Sequence, residues 1–428
     1  MSGLYDLPYL LVADEEGNIF EDKSLRVLAR EASALRVPFL EEFIPMPEGS
    51  DLFFLKNAKA IGINPNTGKI EISTKGYAVS CFVAPAHTQL ALTPWIKANK
   101  NEKFPLFAYT LVGWKKDGFY VAATRIDPDK RQDAKHFNEK RINEGIAFYR
   151  KTFPGNRLVD HLVKCAKEYK CPAARNLFMV MYEAPLPTSP ACNSRCIGCI
   201  SFQPTDSGFC SSQDRINFIP TPEEIAEIAV YHLTHVRDAV VSFGQGCEGE
   251  PLLVSDTIAE SIKRIRKHTS EGIININTNG SSPEKMYQLI KAGLDSARIS
   301  MNSFIKEQYS NYYRPLAYRF EDVIETIKLL RQHNKWVSIN YFVFPGYTND
   351  PEEIVELEKA IQELRFNMIQ WRNFNIDPDV FSGNLTLEFN KKIQLPLFYH
   401  IRSIKKKYPW LYHGYFNPPQ SIIRKYLK

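Results

Sequence analysis

The sequence predicts an α/β fold: a partial (β/α)6 barrel over residues 173–390, preceded by a β-rich α+β accessory domain over residues 1–172 and followed by a basic helical extension over residues 391–428. Two observations predict it. From residue 173 apolar strand-like runs alternate regularly with amphipathic helical stretches, the ordering that builds a parallel sheet with right-handed crossovers. Before residue 172 the chain shows short β-like runs split by turn residues.

In the N-terminal part, "AIGINPNTGKIEIS" reads as a hairpin about its Asn, Pro and Gly residues, "YAVSCFVAP" and "FPLFAYTLVGWKKDGFYVAATRI" as further strands, and "KRINEGIAFYRKTF" as a helix. The six barrel strands are "NLFMVMYEA", "DAVVSFGQG", "IININTNG", "SARISMNSF", "VSINYFVF" and "NMIQWRNFN". Between them lie five helical stretches, several beginning with Ser, Thr or Asp near a Pro or Glu, as helix starts should. A last helix is expected in "KKIQLPLFYHIRSIKKKY". In barrels of this kind chemistry gathers at the carboxyl ends of the strands.

A chain of 428 residues supports a sizeable core and two or three domains. No segment approaches the roughly 20 uninterrupted apolar residues of a membrane span, and the start lacks a basic stretch followed by an apolar run, so a cytoplasmic, uncleaved protein without membrane attachment is expected. Most of the eight cysteines crowd one region instead of being spread as a disulfide framework, which favours a reducing compartment. A net charge of +6 permits an anionic or nucleic-acid partner without arguing for one.

The stretch "ACNSRCIGCIS" places Cys192, Cys196 and Cys199 directly after the first barrel strand. A structural zinc site closes four ligands and a disulfide needs an even number, so a trio points to a metal left with an open position; zinc or an accidental cluster stays as the alternative. The same edge is polar throughout. "GQGCEGEP" follows the second strand, with Glu248 and Glu250 placed to meet an ammonium group. Asn277, Thr278, Asn279 and Gly280 end the third, and the fourth carries Arg298, Ser300 and Asn302 at alternate positions, hence on one face. The fifth carries Asn340. The sixth carries Gln370, Arg372, Asn373, Asn375 and Asp377, more polar groups than a strand end holds without a ligand or solvent.

The CxxxCxxC spacing, then "EGEP", "NTNG" and "RISMNS" in order, resembles the radical S-adenosylmethionine (SAM) enzymes over about residues 177 to 380. The resemblance implies that Cys192, Cys196 and Cys199 hold three irons of a [4Fe-4S] cluster, whose fourth iron takes the amino and carboxylate groups of SAM. Reduction then cleaves SAM to methionine and a 5′-deoxyadenosyl radical, with electrons from a donor such as flavodoxin or ferredoxin. Glu248, Gly249, Glu250 and Pro251 correspond to the family's GGEP segment, which binds the SAM amino group. Ser300 and Asn302 match positions near its ribose or carboxylate, and Asn279, Arg298 and Asn340 complete the expected cofactor cavity. Two positions depart from the pattern: Gly198 stands where an aromatic residue usually packs near adenine, and Glu248 replaces the first glycine of GGEP.

Several residues carry two readings. Cys210 and Cys247 are either a hydrogen-donating or substrate-linking thiol pair or ordinary small hydrophobes. Cys165 and Cys171 lack an evident partner for a second cluster, and no cysteine follows Cys247. His232 and His235 read as packing or surface groups, and Tyr313 and Arg314 as either a cover for the site mouth or a helix-ending turn. The basic run at Arg402 and Lys405 to Lys407, beside aromatics, reads as a solvated helix face before a grip on nucleic acid. Three functions follow: a radical enzyme acting on an unidentified small molecule, which the polar sixth strand favours; one acting on RNA or protein through an N-terminal docking domain; or a non-enzymatic iron-sulfur or zinc-binding interaction protein.

Overall fold

The computed structural model describes residues 2–389 and 395–427. Its centre is a seven-stranded parallel sheet whose strand order follows the chain. The strands are β1 (Glu183–Pro185), β2 (Val240–Phe243), β3 (Ile273–Thr278), β4 (Ser296–Met301), β5 (Trp336–Val343), β6 (Met368–Asn373) and β7 (Tyr412–Gly414). Helices α4 (Pro222–His235), α5 (Ser255–His268), α6 (Pro283–Ala292), α8 (Phe320–Gln332) and α9 (Pro351–Leu364) make the crossovers, with a short α7 (Lys306–Tyr313) before α8; α1 to α3 belong to the N-terminal part described below. The fold is thus the partial α/β barrel that the alternation predicts, beside a separate β-rich N-terminal region.

The alternation within the strands positions the site. Val241, Ile274, Ile276, Ile299, Val337, Ile339 and Ile369 pack with Ile225, Ile258, Leu289, Ile327 and Leu357 of the helices in one buried core, each such side chain contributing about 1.5–3 kcal/mol on burial. The intervening residues turn to the concave face and are polar. Asn277, Arg298 and Ser338 stand in register across β3 to β5, and Ser300, Asn340 and Gln370 across β4 to β6. At the amino end Val240, Ile273, Trp336 and Met368 form an apolar floor with Ile423 of the last helix. The core therefore lies outside the sheet and below it, and the interior of the curl is left to polar groups.

Strands β2 to β6 lie inside the expected runs, β5 beginning one residue earlier; the first and the last strands do not. Of "NLFMVMYEA", Asn176 to Phe178 end helix α3 (Pro172–Phe178), which starts with proline at its first position. Val180 and Tyr182 then take positive φ, so extended structure begins only at Glu183. A short apolar run has no period that separates helix from strand. In the extension read as helical, α10 (Leu397–Lys407) is followed by β7, paired in parallel with β6; residues 391–394 of that expected helix lie outside the described residues.

The N-terminal region is a nine-stranded, mainly antiparallel sheet dominated by the hairpin Asp51–Ile63 and Ile70–Phe82. Its turn is closed by Asn64, whose carbonyl accepts from Gly68 N at 2.8 Å. Helices α1 (Glu139–Thr152), α2 (Arg157–Lys167) and α3 follow and pack into the barrel core. The sheet is fastened to the carboxyl ends of β5 and β6. Thr88 Oγ1 donates to Trp371 O at 2.7 Å, Gln89 Nε2 to Val343 O at 3.1 Å, and Asn373 Nδ2 to His87 O at 3.0 Å. Lys97 meets Asp377 at 2.5 Å in a fully buried pair, and Arg30 meets Asp379 at 2.7 Å. Asn373 and Asp377, expected to need a ligand, are satisfied by this neighbour instead. Among the described residues no helix is long and apolar enough to cross a membrane.

Candidate active site

The loop after β1 carries Cys192, Cys196 and Cys199, all half-buried. It is held from α7, where Arg195 N donates to Tyr313 O at 3.0 Å and Ile197 N to Tyr312 O at 3.1 Å. Leu316 N donates to Asn193 O at 2.8 Å, and Ser194 Oγ lies 2.8 Å from Tyr318 Oη. Tyr313 and Arg314 thus end the helix that buttresses the cysteine loop, Arg314 in the left-handed region. Arg215 Nη2 approaches Cys199 Sγ at 3.7 Å, putting a positive charge beside a thiol that must ionise to bind metal. Burial pushes the Cys192 thiol up to about 11 and Cys196 well above the usual thiol range.

The spacing of the thiols tests which metal group they fit. Three thiolates on one zinc ion lie about 4 Å apart, given Zn–S bonds of about 2.3 Å. Among the described residues the set of three His, Cys, Asp or Glu donor atoms gathered within 4.8 Å is His161, Cys165 and Cys247, not this trio. The three thiols of the trio are not all within 4.8 Å of one another, a wider spread than that of three thiolates on one zinc ion.

The cysteine loop and the segment after β2 run side by side. Gly249 N donates to Ser189 O at 2.6 Å and Glu250 N to Ala191 O at 2.8 Å. A Cβ on Gly249 would lie 1.9 Å from Ala191 O, so only glycine allows the approach. The two carboxylates differ. Glu248 accepts from Thr188 N, Ser189 N, Thr188 Oγ1 and Gln245 N at 2.6–3.1 Å. Four bonds fill a carboxylate, so Glu248 braces the two loops and does not meet an ammonium group as expected. Glu250 accepts three, from Asn279 N at 2.8 Å, Leu252 N at 3.0 Å and the Thr278 hydroxyl, and keeps a place for one more donor. Its burial pushes its pKa up to about 7. Pro251, buried behind it, opens the short turn that leads into α5.

Asn279 ties the end of β3 to the cysteine loop, donating to Asn193 Oδ1 at 2.7 Å. Ser300 is half-buried on the concave wall. Around it Asn302 Oδ1, Asn340 Oδ1 and Arg298 Nε are buried without a hydrogen-bond partner. Arg298 reaches Gln370 Oε1 at 3.4 Å, and burial, with Arg372 nearby, pushes its pKa down to about 9. Arg372 donates to Tyr415 O at 3.0 Å and stacks on that ring. Neither arginine forms an ion pair among the described residues.

At Gly198 a Cβ would meet Tyr312 Oη at 3.0 Å. Tyr312 packs edge-on against Phe374 at 4.9 Å, which stacks on Phe342 at 5.5 Å. Aromatic rings from α7, from β5 and from the residue after β6 thus pack beside position 198. Tyr312, Tyr318, Arg215 and Asn193 were not expected at the site; only a fold brings them there. Cys210 is exposed and Cys247 buried beside Cys165 and His161, so the structure does not bring Cys210 and Cys247 together as a thiol pair. His232 is buried against Tyr182 O and His235 stacks on Tyr231, the packing and surface roles expected of them.

Residues 186–357 match the family model described as the radical SAM superfamily. No curated protein matches the chain. Solved structures similar to it include Streptococcus suis SuiB bound to precursor peptide SuiA, at 16% identity over 59% of this chain and 50% of that one, TM-score 0.37. The FeFe-hydrogenase maturase HydG from Carboxydothermus hydrogenoformans aligns at 14% identity over 67% of this chain and 72% of its own, TM-score 0.37. Methylornithine synthase PylB aligns at 14% identity over 66% and 76%, TM-score 0.38. The chain thus spans half the length of the SuiB structure.

Proposed function

We propose that this chain, which carries a radical SAM domain over residues 186–357, cleaves SAM reductively and directs the radical at a small anionic molecule held inside the curled sheet. Cys192, Cys196 and Cys199 would hold a [4Fe-4S] cluster, which when bound and reduced would supply the electron for reductive cleavage of SAM. Glu250 uses its free lone pair for the SAM ammonium, and Ser300, Asn302 and Asn340 face the sugar and carboxylate. The Tyr312–Phe374 surface at Gly198 admits the adenine. Arg298 and Arg372 hold the anionic substrate further in.

The observation that carries this reading is the concave wall itself. Each unpartnered buried polar atom costs about 1–3 kcal/mol, and Arg298, Asn302 and Asn340 leave three of them on one wall with two arginines that form no ion pair among the described residues, Glu183 acting on Arg298 only at longer range. A ligand rich in acceptors, donors and negative charge satisfies that wall. The N-terminal region favours a small molecule over a macromolecule, because the edge it presents to the barrel is spent on wall contacts such as Lys97 with Asp377.

The test is anaerobic reconstitution with iron and sulfide, reduction with dithionite, and assay of 5′-deoxyadenosine against pools of small organic acids and against RNA. Small acids are expected to stimulate cleavage, and Arg372→Gln to raise their KM about 10- to 100-fold, the loss of one charge-assisted hydrogen bond, while cleavage without substrate persists. Stimulation by RNA alone, with salt-dependent binding, would overturn the small-molecule reading.

Glu250 gives a second expectation. An ammonium group binds the ionised carboxylate, so SAM affinity should rise with pH up to about 7 and level off above it. Glu250→Gln should flatten that profile and weaken SAM binding by about tenfold or more, with iron content unchanged. A parallel loss of iron would show that Glu250 serves the cluster loop instead.

A further inference from the structure

We propose that His161, Cys165 and Cys247 form a second metal site, independent of the cysteine trio and of the reading above, which takes a soft divalent cation of the zinc class. His161 and Cys165 are four residues apart on α2 and so share one helix face. Cys165 Sγ lies 3.6 Å from His161 Nε2, and Cys247 Sγ completes a set with all three donor atoms within 4.8 Å of one another. Cys165 and Cys247 are buried, while His161 is half-buried, which leaves the ion a route of entry.

A buried cysteine usually acts as a small hydrophobe, and an i, i+4 His–Cys pair alone is an ordinary helix contact. Here a third donor arrives from another part of the chain. Cys247 sits in the loop after β2, held by Ile216 N donating to its carbonyl at 2.8 Å, and enters beside α2 with its thiol toward the other two. One imidazole and two thiolates are a zinc donor set, and the spacing requires only a small contraction to reach about 4 Å between donors. Cys171 follows close by in the chain, its backbone N–H donating to Cys165 O at 3.0 Å, and offers a further thiol for a fourth position. Binding M²⁺ displaces the two thiol protons to solvent, with no electron transferred.

The position gives the site a consequence. It joins α2 of the N-terminal part to the residue preceding Glu248, and Glu248 braces the cysteine loop through Thr188 and Ser189. A metal there fixes the SAM-binding segment from behind without touching the reaction.

The experiment uses the full chain with Cys192, Cys196 and Cys199 all changed to alanine, prepared metal-free under reducing anaerobic conditions and titrated with cobalt chloride alone. One cobalt per chain is expected, with thiolate charge-transfer absorption and the intense visible bands of a tetrahedral site. Zinc should erase these bands and raise the Tm by several degrees. Cys165→Ser with Cys247→Ser should abolish the charge-transfer band, and His161→Gln, at a half-exposed position, should weaken cobalt binding at least tenfold while circular dichroism stays native. The same titration on the native chain with its cluster reconstituted serves if the triple variant does not fold. No cobalt uptake by a folded chain, or cobalt spectra unchanged by the His161 and cysteine substitutions, overturns the proposal. Since the trio is absent or already occupied, failure here leaves the proposed SAM chemistry standing, and the converse holds.

Discussion

Alanine at any one of Cys192, Cys196 or Cys199 is expected to reduce 5′-deoxyadenosine formation to background while the chain keeps its fold. The two halves of that expectation have separate grounds. The cysteine loop is held by backbone bonds to Tyr312 and Tyr313 and by Gly249 and Glu250 against Ser189 and Ala191, none of which uses a thiol. Cys192 and Cys199 contribute nothing to the apolar core, and Cys196 only packs at its margin. Such substitutions usually change stability by about 0.5 kcal/mol or little more. The activity has no such margin. A cluster held by three protein ligands loses a corner with each, and Cys247 lies with Cys165 and His161 instead of with the trio. Iron and sulfide per chain, circular dichroism and deoxyadenosine, measured together, separate the outcomes. Undiminished cleavage in all three variants would remove the trio from the chemistry.

What the sequence disclosed and what it hid divide along a physical line. Strands β2 to β6 were legible because each is a compact apolar run bounded by helix starts with strong local signals, such as Thr221 with Glu224 in a capping box. The order of motifs was legible for the same reason, since each follows a strand and inherits its place from it. Position 176 was misread because an apolar run of nine residues fits a helix as well as a strand, and a proline start with two positive-φ residues decided it. Glu248 was misread because its partners, Thr188 and Ser189, are sixty residues away and are backbone amides, which no side-chain pattern announces. The polar sixth strand was half legible: Gln370 and Arg372 do face the interior, but Asp377 answers Lys97 of the other region. His161 with Cys165 offered one local sign of a metal site, their i, i+4 spacing; the third donor lies 82 residues further on, and only the fold brings it near.

Gly249→Ala should have the other large effect, although it removes no functional group. The added Cβ would stand 1.9 Å from Ala191 O and 3.1 Å from Cys192 N, and both are backbone atoms that no rotamer change can move away. Relief requires the segment 249–250 to separate from 189–191 by about 1 Å or more, since overpacking is relieved by backbone shifts. That separation stretches the 2.6 Å bond from Gly249 N to Ser189 O and carries Glu250 away from the cysteine loop that it faces. A misplacement of about 1 Å at a reacting centre costs on the order of 100-fold, so kcat/KM should fall by that factor or more while stability drops by about 1–3 kcal/mol. Gly246 is the internal control. Its added Cβ would meet Gln213 Nε2 at 2.8 Å and Ile200 Cδ1 at 2.9 Å, both at the free ends of flexible side chains that can turn aside. Gly246→Ala should therefore retain most of the activity, and equal losses in the two variants would mean that the loop after β2 tolerates no added bulk anywhere, not that it depends on one close backbone approach.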